Sequence, residues 1–228
     1  MQSIANQLLP PALFDRSAAQ WLAVVDNPDS TALEQLFAAG EAGRGQYVSF
    51  SVQQIVQLVS AVGAQLIKAR FLVRTEEATG RPYFSLALYA TDALGQRLTA
   101  YYGAASPGPL APAPAELGAV VSDGLADYWR QQWRAAASIT PANFTSTYGP
   151  LRGYSFELTD FTALLAQLPS FNQEQVWVYF GLHEYYRPEP AGDAQVQLFG
   201  LILRLRDPDA LDDDDSFYDM SKPCPPTC

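Results

Sequence analysis

Ser49–Val59 (SFSVQQIVQLV) and Ser155–Leu165 (SFELTDFTALL) share one pattern of apolar and polar residues at a constant offset along the chain. The matched apolar pairs are Phe50 with Phe156, Val52 with Leu158, Ile55 with Phe161, and Leu58 with Leu164. Apolar residues three or four positions apart form one face of an α-helix. Each stretch therefore predicts a short apolar segment followed by an amphipathic helix, and the recurrence predicts an internal duplication.

Local signals indicate where the helices of the first half begin. Ser51 and Gln54 have the spacing of a capping box, in which each side chain satisfies a backbone amide of the other residue. A helix is predicted over 18–25, and another is predicted to open with a capping box at Thr31 and Glu34. These signals predict three helices before the first strands of the sheet.

The longest helix is predicted over 115–137, where apolar residues recur at four-residue steps. Trp129 and Trp133 belong to that series and are flanked by Arg130 and Arg134. This arrangement offers two interpretations, a stacking platform for a ligand or an ordinary core face. Residues at this spacing are more often core, so the core interpretation is preferred.

Three strands separated by turn-like segments are predicted over 65–75, 83–91 and 96–102, as an antiparallel meander. Alternation within the first strand places Lys68 and Arg70 on the face opposite its apolar residues. This pattern predicts a sheet that is covered by helices on one face only.

The fold prediction is therefore α+β, with two pseudo-repeated helix-plus-antiparallel-hairpin units that form one pseudo-symmetric body. N-terminal helices and a long central helix complete it. The predicted divisions are the N-terminal helices with the first α+β unit (1–105), a Pro-rich linker (106–114), the central helix with the second α+β unit (115–206), and an acidic tail with Pro and Cys (207–228).

The second half carries the segments LLAQLPS, VWVYFGL and LFGLILRLRDPDA, and the chain ends in CPPTC. In these segments it resembles an uncharacterised bacterial family with a helix, a strand ending in a Tyr-Phe-Gly-Leu-like motif, a strand leading into an Asp turn, and a Cys-Pro-Pro-x-Cys tail. The resemblance covers the C-terminal third of the chain. The resemblance implies that the Cys-Pro-Pro-x-Cys tail has a role in the protein, and it assigns no particular activity.

The formal charge of the 228 residues is −10, and it is concentrated near the end of the chain. Seven aspartates and one lysine lie within 207–228, so this segment carries a net charge of −6. Because affinity for nucleic acid and anionic lipid depends on Lys and Arg, neither is expected as a partner. The chain also lacks an apolar run of ~20 residues and a basic leader, which predicts a cytoplasmic protein.

The acidic run suggests a cation site. Asp212, Asp213, Asp214 and Asp215 are consecutive carboxylates, which hard cations such as Ca²⁺ prefer. The run lacks the glycine and glutamate of a calcium loop, so the alternative is a solvated charge run that keeps the protein soluble. No cofactor is therefore expected, and a calcium or zinc ion is a secondary possibility.

The C-terminal tail contains the only two cysteines, Cys224 and Cys228. They supply at most half of a tetrahedral zinc site, or the two thiols of a thiol–disulfide pair. Proline-rich segments are stiff and lose little entropy on docking, so the tail is also predicted to be a contact element. The residues assigned to that contact are Phe217, Tyr218, Pro223, Pro225 and Pro226.

The sequence shows none of the catalytic motifs that mark common enzyme classes. Its one histidine, His183, precedes Glu184, and a general base there is less expected than an ordinary strand residue. The predicted function is a non-enzymatic structural or interaction protein that self-associates or binds a protein partner, with the tail as docking element. The alternative is a metal-binding or thiol–disulfide protein that uses Cys224 and Cys228.

Overall fold

The computed structural model describes residues 8–39, 43–105, 123–166, 175–187, 194–206, 217–218 and 222–224. The helices in this part of the chain are α1 (Pro11–Val25), α2 (Ser30–Phe37), α3 (Val52–Val59), α4 (Asp123–Ala135) and α5 (Leu158–Ala166), with a 3-10 helix at Pro141–Phe144. The strands are β1 (Leu8–Leu9), β2 (Tyr47–Ser51), β3 (Leu66–Thr75), β4 (Pro82–Thr91), β5 (Tyr101–Gly103), β6 (Thr145–Ser146), β7 (Gly149–Pro150), β8 (Gly153–Glu157), β9 (Gln175–Arg187), β10 (Ala194–Arg206), β11 (Phe217–Tyr218) and β12 (Lys222–Cys224). Helices and antiparallel sheets together confirm the α+β class.

Short-range hydrogen bonds fix the helix starts. Gln54 Oε1 accepts from the Ser51 amide at 2.8 Å and Ser51 Oγ accepts from the Gln54 amide at 3.3 Å, which confirms the predicted capping box. The capping box predicted at Thr31 was wrong, because Asp29 precedes it and its carboxylate accepts from the Thr31 amide at 2.9 Å. Helix α1 begins at Pro11 rather than residue 18, since proline is well suited to the first helical turn.

The two larger sheets exchange strands between the halves of the sequence. One has the order β1-β5-β4-β3-β8-β12, and the other has the order β11-β10-β9-β2. Strand β2 of the first half pairs with β9, and strand β8 of the second half pairs with β3. Each hairpin, β3–β4 or β9–β10, is thus extended by the strand that precedes the other half's helix.

The exchanged strands enter their host sheets in the same register. Ser51, the last residue of β2, pairs with Gln175, the first residue of β9, and Glu157 likewise pairs with Leu66. Two further hydrogen bonds repeat this reciprocity: the Phe71 amide donates to the Arg152 carbonyl at 3.0 Å and the Phe180 amide donates to the Gln46 carbonyl at 2.9 Å.

Two tryptophans fasten the exchanged segments in the same reciprocal manner. Trp21 Nε1 of α1 donates to the Leu151 carbonyl at 2.7 Å, and Trp133 Nε1 of α4 donates to the Gly45 carbonyl at 2.9 Å. Each acceptor lies just before an exchanged strand. These contacts support the predicted duplication, which itself stays a prediction.

The inner faces of the two sheets meet in one aromatic core. Phe71 of β3 lies 5.6 Å from Phe199 of β10, and Phe84 of β4 lies 5.4 Å from Phe180 of β9, measured between ring centroids. Trp133 is fully buried in this core, as predicted. Edge-to-face aromatic pairs of this kind stabilise packing beyond area burial by about 0.5–1.5 kcal/mol each.

The prediction of a sheet covered on one face only was wrong for the β3 sheet. Helix α1 also covers the opposite face, where Phe14 stacks on Tyr101 at 3.7 Å. Lys68 is only 5% exposed there, and its Nζ donates to Ser155 Oγ at 2.8 Å. The sequence pattern failed because long cationic side chains can be buried along their apolar stems.

The predicted meander is confirmed as β3-β4-β5, but the third strand is shorter than predicted. Only Tyr101–Gly103 forms a strand, because Asp92 Oδ1 accepts from the amides of Leu94 and Gln96 and holds this region in a turn. Of the predicted central helix, residues 123–135 form α4, and residues 115–122 lie outside the described residues.

The described parts of the C-terminal tail pair with the chain's own sheets. Tyr218 of β11 pairs with Leu203, and Lys222 of β12 pairs with Ser155. The tail thus adds an edge strand to each large sheet. The linker 106–114, Asp212–Asp215, Pro225, Pro226 and Cys228 lie outside the described residues.

Candidate functional site

A cleft of about 630 Å³ lies between the 3-10 helix and the part of the β9–β10 hairpin around Glu184 and Gln197. We call it the glutamate cleft, and it is lined by Pro141, Ala142, Asn143, Thr145, Glu184, Tyr185, Gln195, Val196 and Gln197. The lining is mainly polar, with a carboxylate, three side-chain amides and the Thr145 hydroxyl group. Side chains of this kind recognise a ligand through hydrogen bonds.

Two differences between the halves open this cleft. Strands β9 and β10 are 13 residues long, whereas β3 and β4 are 10 residues long, so the second hairpin projects further. The 3-10 helix has 4 residues, whereas α2, which precedes β2 in the first half, has 8. A longer hairpin beside a shorter helix leaves space at this end of the molecule.

Glu184 is the centre of a hydrogen-bond network at the cleft. Its Oε2 accepts from the Tyr128 hydroxyl at 2.8 Å, and its Oε1 accepts from Gln197 Nε2 at 3.2 Å. Gln197 Nε2 also donates to Gln132 Oε1 at 3.3 Å. Helix α4 and strands β9 and β10 therefore hold the carboxylate in one orientation.

The network keeps Glu184 ionised. The hydrogen bond from Tyr128, followed by those from Gln197 and Gln195, lowers the pKa of the Glu184 carboxyl below its ordinary value. The same bond raises the pKa of the Tyr128 hydroxyl, so Tyr128 remains a donor. At neutral pH the cleft therefore presents a fixed negative charge.

Side chains cap the outer edge of β10 next to the cleft. The Gln197 carbonyl accepts from Asn143 Nδ2 at 3.2 Å, and the Phe199 carbonyl accepts from the Tyr154 hydroxyl at 2.5 Å. Strand β11 pairs further along the same edge, at Leu203 and Arg204. Because capped carbonyls do not accept from an added strand, recognition at this edge depends on side chains in the cleft.

His183 lies beside the cleft but is sequestered from it. Its ring stacks on Trp129, with ring centroids 3.9 Å apart, and its other side faces Gly200 so closely that a β-carbon there would lie 2.1 Å from Nε2. Burial lowers the pKa of His183 to about 4. His183 is therefore neutral at pH 7, and its strand alternation directs it away from Glu184.

Trp129 and Trp133 occupy different surroundings although they lie one helical turn apart. Trp133 enters the main core, whereas Trp129 packs on the outer face of the β9–β10 hairpin over Gly181 and His183. Opposed glycines, Gly181 on β9 and Gly200 on β10, make room for the two rings. This glycine pair was the sequence signal for the close approach of α4.

The predicted metal and tail residues that the structure describes, Phe217, Tyr218, Pro223 and Cys224, lie in strands β11 and β12 and do not line the cleft. The backbone of Cys224 pairs with Gly153 in β8, while Cys228 and Asp212–Asp215 lie outside the described residues. Within the ranges that the structure describes, no group of three or more His, Cys, Asp or Glu side chains is placed to hold a metal ion. The described residues also contain no helix long and apolar enough to cross a membrane.

The sequence places Glu184 next to His183, but it gives no indication that Tyr128, Gln132 and Gln197 belong to the hydrogen-bond network of Glu184. The hydrogen bonds from Tyr128 and Gln197 span 56 and 13 residues of sequence, so no local spacing reveals them. A comparison with known proteins adds no assignment, because no protein-family model, no curated protein and no solved structure matches the chain.

Proposed function

We propose that this chain is a non-enzymatic interaction protein that binds a segment of a protein partner in the glutamate cleft. The observation that carries the proposal is the cleft of about 630 Å³ with its oriented, mainly polar lining. Small-molecule pockets are mostly apolar, whereas a polypeptide segment offers many hydrogen-bonding groups to a polar lining. A single carboxylate without a second acid or base among the described lining residues favours binding over acid–base catalysis.

In this proposal the C-terminal tail has an intramolecular role. Strands β11 and β12 extend the two large sheets of the same chain, which supports a clasp that holds the sheets together. Docking by Phe217, Tyr218 and Pro223 is then docking onto the chain's own sheets, and a contact by Pro225 and Pro226 stays a prediction. Self-association stays a prediction, as do the zinc or thiol chemistry of Cys224 and Cys228 and the cytoplasmic location.

Site-specific photo-crosslinking in the native host tests the proposal. Gln195, which lines the cleft on the same hairpin face as Glu184, is replaced by p-benzoylphenylalanine, and exposed Glu77 in the β3–β4 turn carries the same probe as a matched control. We expect an adduct with one protein at position 195 only, lost when Ala142→Trp fills the cleft. Its mass identifies either a second copy of the chain or a different protein. Adducts that form equally at position 77, or that survive Ala142→Trp, would refute the cleft as the binding surface.

A further inference from the structure

We infer that the glutamate cleft recognises a cationic side chain, arginine or lysine, carried by the bound protein segment. This inference rests on the proposed function and adds the chemical class of the partner.

Charge complementarity favours a cation. Glu184 is the one carboxylate among the described lining residues, and these residues include no lysine or arginine. The whole chain carries a formal charge of −10, so its field attracts basic partners and repels acidic ones. A basic segment is therefore favoured both at long range and at contact.

The carboxylate also retains acceptor capacity for a ligand. An ionised carboxylate has about four lone-pair positions, and Tyr128, Gln197 and Gln195 supply donors to Glu184. Gln195 is exposed, so a guanidinium or ammonium group can replace its hydrogen bond at little cost. Tyr128 and Gln197 remain as the donors that orient the carboxylate.

The neutral groups around Glu184 suit the rest of a peptide. Asn143, Thr145 and Gln197 line the same cleft, where the second amide proton of Asn143 Nδ2 can donate to a main chain and the Thr145 and Gln197 side-chain oxygens can accept from it. A neutral polar ligand such as an oligosaccharide would use these groups without needing the charge of Glu184. A requirement for positive charge therefore distinguishes a basic peptide from a neutral polar ligand in this cleft.

Fluorescence anisotropy with defined peptides provides the test. The probe is a fluorescein-labelled decapeptide of alternating glycine and arginine, and its control contains citrulline, which keeps the shape of arginine without the charge. The protein is the full chain in which Asp212–Asp215 are replaced by asparagine, so that the acidic run does not bind the probe. Glu184→Gln is compared with Glu77→Gln, which removes an exposed charge elsewhere.

We expect the arginine peptide to bind about fivefold more tightly than the citrulline peptide, as exposed ion pairs of this kind allow. Glu184→Gln should abolish this preference and Glu77→Gln should retain it. A preference that survives Glu184→Gln, equal binding of both peptides to the unchanged cleft, or no binding of either peptide would overturn the inference. If Ala142→Trp abolishes peptide binding while Glu184→Gln has no effect, the cleft binds a segment without reading its charge, and only the proposed function stands.

Discussion

Replacing Gly200 with alanine should destabilise the protein, because the space above this glycine is occupied by His183. A β-carbon at Gly200 would lie 2.1 Å from Nε2, 2.5 Å from Cε1 and 2.6 Å from Cδ2 of that ring. The ring cannot retreat freely, since Trp129 stacks on its other side at 3.9 Å. Overpacking of this kind costs about 1–3 kcal/mol.

The expected loss is measurable by thermal unfolding followed by circular dichroism. For a chain of this length, a cost of about 2 kcal/mol lowers the melting temperature by about 4–8 °C. Gly124→Ala is the matched control, because nothing lies within 4 Å of its β-carbon and it sits in helix α4. That control should raise stability by about 0.5–1 kcal/mol.

A double-mutant cycle isolates the cause. His183→Ala removes the ring, so Gly200→Ala should cost little when it is added to that variant. If Gly200→Ala leaves the melting temperature unchanged, or if it costs as much with His183 absent as with it present, then His183 is not held between Trp129 and Gly200 as described.

Four further predictions follow from individual contacts. Because burial lowers the pKa of His183 to about 4, the unfolded chain binds one more proton than the folded chain between that pH and the ordinary histidine pKa of about 6.5. The free energy of unfolding should therefore fall by about 3 kcal/mol as the pH drops through this window. Urea titrations at each pH should show that His183→Phe removes this part of the loss. Tyr128→Phe should raise the pKa of Glu184 towards its ordinary value in a carbon-13 NMR titration, and an unchanged pKa would mean that the Tyr128 hydroxyl does not hold the carboxylate. Gln54→Ala should lower the free energy of unfolding in urea by about 2–4 kcal/mol, because it removes the capping box and a buried hydrogen bond to the Gly103 carbonyl. A loss below about 1 kcal/mol would contradict both contacts. Deleting residues 217–228 should lower the melting temperature even in dilute monomer, because each of the two large sheets loses an edge strand, β11 or β12. A deletion that changes the assembly state but not the melting temperature would indicate that the tail contacts another molecule.

Local features of the fold were predictable from the sequence because they depend on neighbouring residues. The capping box at Ser51 and Gln54 follows from a three-residue spacing. Strand β3 follows from the alternation of side chains, and its predicted limits of 65–75 agree with Leu66–Thr75. The α+β class follows from the order of such elements along the chain.

The strand exchange was not predictable, since strand pairing at long range leaves no periodic signal in one sequence. Ser51 pairs with Gln175 rather than with a residue of its own half, and hydrophobic pattern alone is compatible with either host sheet. Lys68 shows the same limit, because its side chain is buried beside Ser155 of β8, a strand from the other half of the chain. Alternation specified the face of the strand but not what covers it.

The glutamate cleft depends on the lengths of β9, β10 and the 3-10 helix, which the sequence pattern does not define. Pro188 and Pro190 follow Arg187 and are typical of a turn, but they do not show that β9 and β10 each continue to a length of 13 residues. The segment around Pro141 lacks the apolar periodicity of a helix, which is consistent with its single 3-10 turn. Only the combination of both features opens the cleft beside Glu184.

The carbon-13 chemical shift of the Glu184 carboxyl during a titration with the glycine–arginine decapeptide tests the central claim most directly. The Glu184 resonance should move progressively with the arginine peptide and stay in place with the citrulline peptide. A Glu184 resonance that remains fixed while the arginine peptide binds and shifts other parts of the protein would contradict it.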